Sequence, residues 1–133
     1  MTACYELPIL ARNFWEDLWD GNWRGQKSIM VFPFWADRAM ETKNSLRVII
    51  EDVGRDPAKD TMSWSNETRT FAVPKKADQT KWTFLVGRDR SKIYVVDFLT
   101  MTDEGFAIIF TNESGKWKII GLDDNHLYDK MHN

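Results

Sequence analysis

Residues 29–53 read IMVFPFWADRAMETKNSLRVIIEDV, and the pattern changes partway through. Up to Ala36 the run is apolar and broken by Pro33, Asp37-Arg38 are turn formers, and beyond them apolar residues recur at Leu46, Ile49, Ile50 and Val53. Spacing of three and four marks a helix with one buried face. Pro33 lacks an N–H and restricts its predecessor, so it is expected to end a preceding helix. Phe34-Trp35-Ala36, the Asp37-Arg38 turn and Ala39-Met40-Glu41 then predict two short strands in a hairpin. Thr42 or Asn44 is the expected N-cap of the next helix, and Gly54 its C′ residue, with Arg55-Asp56-Pro57 preventing continuation. A small hairpin set between helices points to an α+β chain.

Upstream, Pro8 suits the first position of a helix, and the pattern runs from there to about Trp19. Leu10, Phe14 and Leu18 form one stripe, with Ala11, Trp15 and Trp19 beside it. Asp20-Gly21-Asn22 ends that helix, and a second, shorter one is expected over about Arg24 to Val31, with Asn22 or Trp23 near its start. Downstream the period falls to two. Strands are predicted at Thr68–Val73, Lys92–Thr100, Phe106–Thr111 and Lys116–Leu122, the last three joined by short Gly-containing links as antiparallel hairpins. Asp78 to Val86 fits either an extended segment or a short helical turn, the helical turn being the reading adopted. Gly87-Arg88-Asp89-Arg90 reads as a turn before a strand, and the polar residues 123–133 as a frayed end.

With 133 residues, the chain is expected to form a single domain over 1–133 that buries roughly two-thirds of its unfolded surface. Seven Trp, eight Phe and three Tyr are a heavy aromatic load, enough for a broad core or a lined cavity. A formal charge of −2 provides no basic footprint, which argues against nucleic acid and anionic membranes as partners. Cys4, the sole cysteine, has no internal disulfide partner, and MTACYELPILARNF has no basic segment leading into a long apolar core. Both set the expectation of a cytoplasmic location. No run approaches the ~20 apolar residues of a membrane span.

The order of helices, small hairpin, third helix and closing antiparallel meander resembles the nuclear transport factor 2-like superfamily. The resemblance covers nearly the whole chain, and three segments carry it: PILARNFWEDLWDGNW (8–23), FPFWADRAMETKNSLRVII (32–50) and KIYVVDFLTMTDEGFAIIFTNESGKWKIIGL (92–122). The second is similar to a hairpin found in a group of uncharacterised bacterial members. The resemblance implies an α+β, cystatin-like cone of about three N-terminal helices on a curved, mainly antiparallel sheet, with a pocket at the open end and frequently a homodimer through the outer sheet face. Ketosteroid isomerases, scytalone dehydratase, polyketide cyclases, epoxide hydrolases and non-enzymatic assembly domains share that fold, so it does not choose a reaction.

Candidate chemistry centres on the strand after Lys92. Ile93, Val95, Asp97 and Leu99 share one face by alternation, so Asp97 sits among apolar neighbours, where desolvation suits a carboxyl to general acid or base work. The alternative is an outer-face or interface Asp paired with a Lys or Arg on the next strand. Tyr94 lies on the opposite face with Val96 and Phe98, placed to donate to a developing oxyanion or to pack as a core aromatic. Alternation alone does not choose the inner face. His126, directly after the last strand, is a third catalytic candidate at the cavity mouth. Trp15, Trp19, Phe34, Trp35, Trp64, Trp82, Phe98 and Trp117 are candidate lining for an apolar ligand, or simply core. The tail with Asp123, Asp124, His126, Asp129 and His132 has no compact metal-ligand spacing, so neither metal nor cofactor is expected. Two functions are carried forward: binding of a small apolar molecule, with any catalysis being acid–base isomerisation or dehydration, and a non-enzymatic dimeric module whose cavity its own aromatics fill.

Overall fold

The computed structural model describes residues 3–19, 29–36, 39–45, 64–72, 89–100 and 105–123. Helix α1 spans Ala3–Trp19, and six strands follow: β1 Met30–Ala36, β2 Ala39–Glu41, β3 Trp64–Ala72, β4 Ile93–Thr100, β5 Gly105–Glu113 and β6 Lys116–Asp123. They form one mixed sheet in the order β2-β1-β6-β5-β4-β3. Neighbours are antiparallel except β1 and β6, which run parallel and so bring the early hairpin onto the end of the late meander. The architecture is α+β, as the alternation of periods predicts.

Helix α1 begins five residues earlier than the sequence suggests, and Pro8 lies within it rather than at its first position. Proline there forgoes the hydrogen bond to the Cys4 carbonyl. The helix extends through it because Leu7 belongs to the buried stripe. Leu7, Ala11, Phe14 and Trp15, at i, i+4, i+7 and i+8, are all at most 2 % exposed. They pack on Met30, Phe34, Val96, Ile108, Phe110 and Ile119 of the sheet. Each large side chain buried in this way contributes on the order of 1.5–3 kcal/mol of transfer free energy. A second cluster, Trp35, Ile93, Val95, Ala107, Ile109 and Ile120, lies on the opposite sheet face and is buried to a similar degree.

Pro33 does not end a helix. It falls inside β1, whose first residues, Met30 and Val31, lie within the range predicted for the second helix. The residues before Ile29 in that range lie outside the described ones. Between Met30, opposite Ile119, and Trp35, opposite Gly121, β1 advances five residues while β6 advances two. The pairing with β2 begins only at Phe34. Pro33 thus occupies a break in one register and precedes the other, a place where a strand tolerates a missing N–H. The predicted hairpin of Trp35-Ala36 against Ala39-Met40 is present.

The next helix opens at Lys43, and Thr42 is its N-cap. Ser45 N–H donates to Thr42 Oγ1 at 3.2 Å while Thr42 N–H donates to Ser45 Oγ at 3.0 Å, a reciprocal box with serine where Glu or Gln is usual. Lys43 Nζ stands 5.8 Å above the Phe32 ring, a cation–π contact between the helix start and β1. Thr42→Ala should lower stability by about 1 kcal/mol in urea unfolding with unchanged m, and Asn44→Ala should be near neutral. The reverse order would move the cap to Asn44. The remainder of this helix lies outside the described residues.

The meander strands occupy the predicted positions; β5 and β6 run slightly longer, and β4 starts one residue later because Lys92 belongs to a 3-10 turn. In the β5–β6 hairpin Ser114 and Gly115 both have positive φ, 53° and 79°, the pattern of a two-residue type I′ turn, and Gly115 N–H donates to Asn112 Oδ1 at 3.1 Å. Farther along, Ile109 pairs with Gly121 but Phe110 with Ile119, so Ile120 is an extra residue in β6. That bulge lets Ile119 and Leu122 pack in one cluster and Ile120 in the other.

Candidate functional site

Two elements far apart in sequence build a groove on the α1 side of the sheet. From α1 come Glu6, Ile9 and Leu10, at i, i+3 and i+4, which share one flank of the helix beside the buried stripe. From the β5–β6 turn comes Gly115, from the start of β6 come Lys116 and Trp117, and Ile29 closes the side toward β1. The groove is open and about 450 Å³ in volume. Its walls are chiefly apolar, with Ile9 63 % exposed and one acid and one base among the lining residues.

The two walls are tied together. Trp117 Nε1–H donates to Glu6 Oε2 at 3.0 Å, linking residues 111 positions apart. Hydrogen bonds to a carboxylate are stronger than neutral ones, and Glu6 in the first turn is further favoured by the helix dipole. Behind the indole, Tyr94 meets Trp117 in a T-shaped contact, centroids 5.6 Å apart and planes at 86°. Trp117 is therefore oriented from two directions, by its N–H and by its ring.

The predicted site residues separate into distinct places. Tyr94 is on the α1 face, against Trp117. Asp97 is on the other face, 2 % exposed, in the row of Ile93 and Val95 and opposite Ala107. The sheet stands between Tyr94 and Asp97, as alternation along one strand requires, so they do not meet at one site. Trp15 and Phe34 are packed in the core beneath α1, with Phe34 6.4 Å from Phe14 and 6.2 Å from Phe32. Trp35 lies in the second cluster, close against Gly121. Trp117 alone among the described candidate aromatics lines the groove. Trp19, Trp64 and Phe98 lie in α1, β3 and β4, with their side chains outside the description; Trp82 and His126 lie outside the described residues altogether.

Glu6, Ile9, Ile29, Gly115 and Lys116 were not among the residues that sequence singles out. Ile9 carries a legible signal, an aliphatic residue off the buried stripe of an amphipathic helix. The link between Glu6 and Trp117 has none, because only folding brings them together.

Away from the groove, Asp89 precedes a 3-10 turn over Arg90–Lys92 ahead of β4; Gly87 and Arg88 of the predicted turn lie outside the described residues. Ser91 donates to Asp89 Oδ1 from its Oγ at 2.7 Å and its N–H at 3.1 Å, and Lys92 N–H reaches the Asp89 carbonyl at 3.0 Å. The Ser91 hydroxyl bond, then its backbone bond, hold the Asp89 carboxyl below its ordinary value. These bonds lock the turn locally. Among the described residues no helix is long and apolar enough to cross a membrane. No protein-family model matches the chain, and no curated protein matches it in sequence.

Proposed function

We propose that this chain is a cytoplasmic, cone-shaped protein of the nuclear transport factor 2-like kind that binds a small, largely apolar molecule in the groove beside Trp117. Support for the fold assignment comes from the strand order β2-β1-β6-β5-β4-β3, the parallel β1–β6 contact and a helix packed on one face. The observation that carries the function is the groove itself. At about 450 Å³ it lies within the ~300–1,000 Å³ range of ligand sites, and it pairs apolar walls with one hydrogen-bonded polar pair, Glu6 and Trp117. Any acid–base isomerisation or dehydration in this groove would fall to Glu6 at its wall, with Tyr94 behind the indole.

A screen of chemically varied apolar compounds, read on the Trp117 indole N–H resonance and on tryptophan fluorescence, tests the reading. Binding should shift that resonance, and Trp117→Phe, which removes that N–H, should weaken affinity as read by the fluorescence of the remaining tryptophans. A resonance that stays in place across the whole set would defeat it.

A second reading, an interaction module with a self-filled interior, is favoured by a specific observation. Phe14, Trp15, Phe34 and Phe110, all at most 2 % exposed, occupy the space between α1 and the sheet. A homodimer through the opposite sheet face would gain little at Ile93, Val95, Ala107, Ile109 and Ile120, which are already buried within one chain.

A further inference from the structure

The groove differentiates its two charged residues. Glu6 is held: its Oε2 accepts the Trp117 indole N–H at 3.0 Å, and Trp117 is itself set by Tyr94. Lys116 is exposed at the start of β6 on a long, freely rotating stem. Ordering such a side chain costs rotamer entropy, a penalty that the oriented Glu6 carboxylate largely avoids. A carboxylate accepts through both oxygens, so Oε1 can take a second donor. The face of an indole is also the best of the aromatic surfaces for a cation.

From this arrangement we infer that the groove selects a molecule with a flat apolar body and a protonated amine. The ammonium group donates to Glu6 Oε1 beside the Trp117 indole, and the body lies along Ile9, Leu10 and Ile29. This rests on the reading of the groove as a ligand site and adds the chemical class of its occupant. The bound Trp117–Glu6 pair acts as a prebuilt acceptor, so the ligand need not order the carboxylate. An anionic head on the same body would meet Glu6 with like charge and would depend on Lys116 alone.

The test is a matched series on one bicyclic aromatic scaffold, carrying –CH2NH3+, –CH2OH or –COO−, titrated into the full chain and followed by the Trp117 indole N–H resonance. The amine should bind at least tenfold more tightly than the alcohol and the carboxylate. Glu6→Gln, which keeps the size of the side chain and an oxygen able to accept from Trp117, should remove most of that preference without abolishing binding of the alcohol. Lys116→Ala, which removes the like charge from the groove, should strengthen the amine and weaken the carboxylate. Equal affinities for all three heads, or a carboxylate that binds best and is lost in Lys116→Ala, would overturn the amine assignment while leaving the groove a ligand site. Absence of any shift for the whole series overturns both. A Glu6→Gln protein with the wild-type Trp117 resonance and a fully retained amine preference overturns the role given to Glu6.

Discussion

Phe34→Ala should remove about 3–5 kcal/mol of stability, a large share of the ~5–15 kcal/mol that holds a typical domain together. Phe34 is fully buried, contacts Phe14 of α1 and Phe32 of its own strand, and belongs to the cluster that joins α1 to the sheet. Removing the ring forfeits its transfer free energy and leaves a cavity that the surrounding β1, β4, β5 and β6 side chains can refill only in part. Urea unfolding followed by circular dichroism measures the change. Phe34→Leu, closer in volume, should lose about 1–2 kcal/mol. A loss below about 1 kcal/mol in Phe34→Ala would mean that this ring is not part of a close-packed core.

Gly121→Ala is expected to be the second large effect, about 2–3 kcal/mol, through overpacking instead of a cavity. A Cβ at Gly121 would stand 2.7 Å from Trp35 Cβ and 2.9 Å from the Trp35 carbonyl oxygen. Both atoms belong to or adjoin the β1 backbone, which cannot swing aside as a side-chain tip would. The strained contact lies where β1 and β6 run parallel in register, Trp35 opposite Gly121, so relief requires that pairing to loosen. Gly115→Ala provides the contrast. No atom lies within 4 Å of a Cβ there, and only the positive φ of 79° opposes it, a cost nearer 1 kcal/mol. If both alanines cost the same, the close approach of β1 to Gly121 is wrong.

Much of the scaffold was legible locally. The period-two runs 92–100, 106–111 and 116–122 became β4, β5 and β6 because alternation and Gly-containing links encode a meander within a few residues of chain. The hairpin after Phe34 followed from Asp37-Arg38 in the same way. Pro8 and Pro33 depart from the local expectation for one shared reason. A local rule places proline at the start of a helix or after its end, whereas the burial of Leu7 draws α1 past Pro8, and the register break between β1 and β6 makes room for Pro33. Neither the burial nor the break can be seen from neighbouring residues.

The candidate site was legible only at one edge. Trp117 stood out as an aromatic in the last strand, and Tyr94 as a polar-tipped aromatic in β4, yet their contact and the bond from Trp117 to Glu6 join segments distant in the chain. Asp97, the most conspicuous carboxyl in the sequence, went to the opposite sheet face with Ile93 and Val95.

Periods, turns and the alternation that sends Tyr94 and Asp97 to opposite faces are local properties of the chain, because each depends on backbone geometry repeated over a few residues. Tertiary structure decided which face α1 covers, how β1 joins β6, and that Glu6 meets Trp117 across 111 residues. Those depend on which surfaces exclude water from one another, and that is settled only when the whole chain packs.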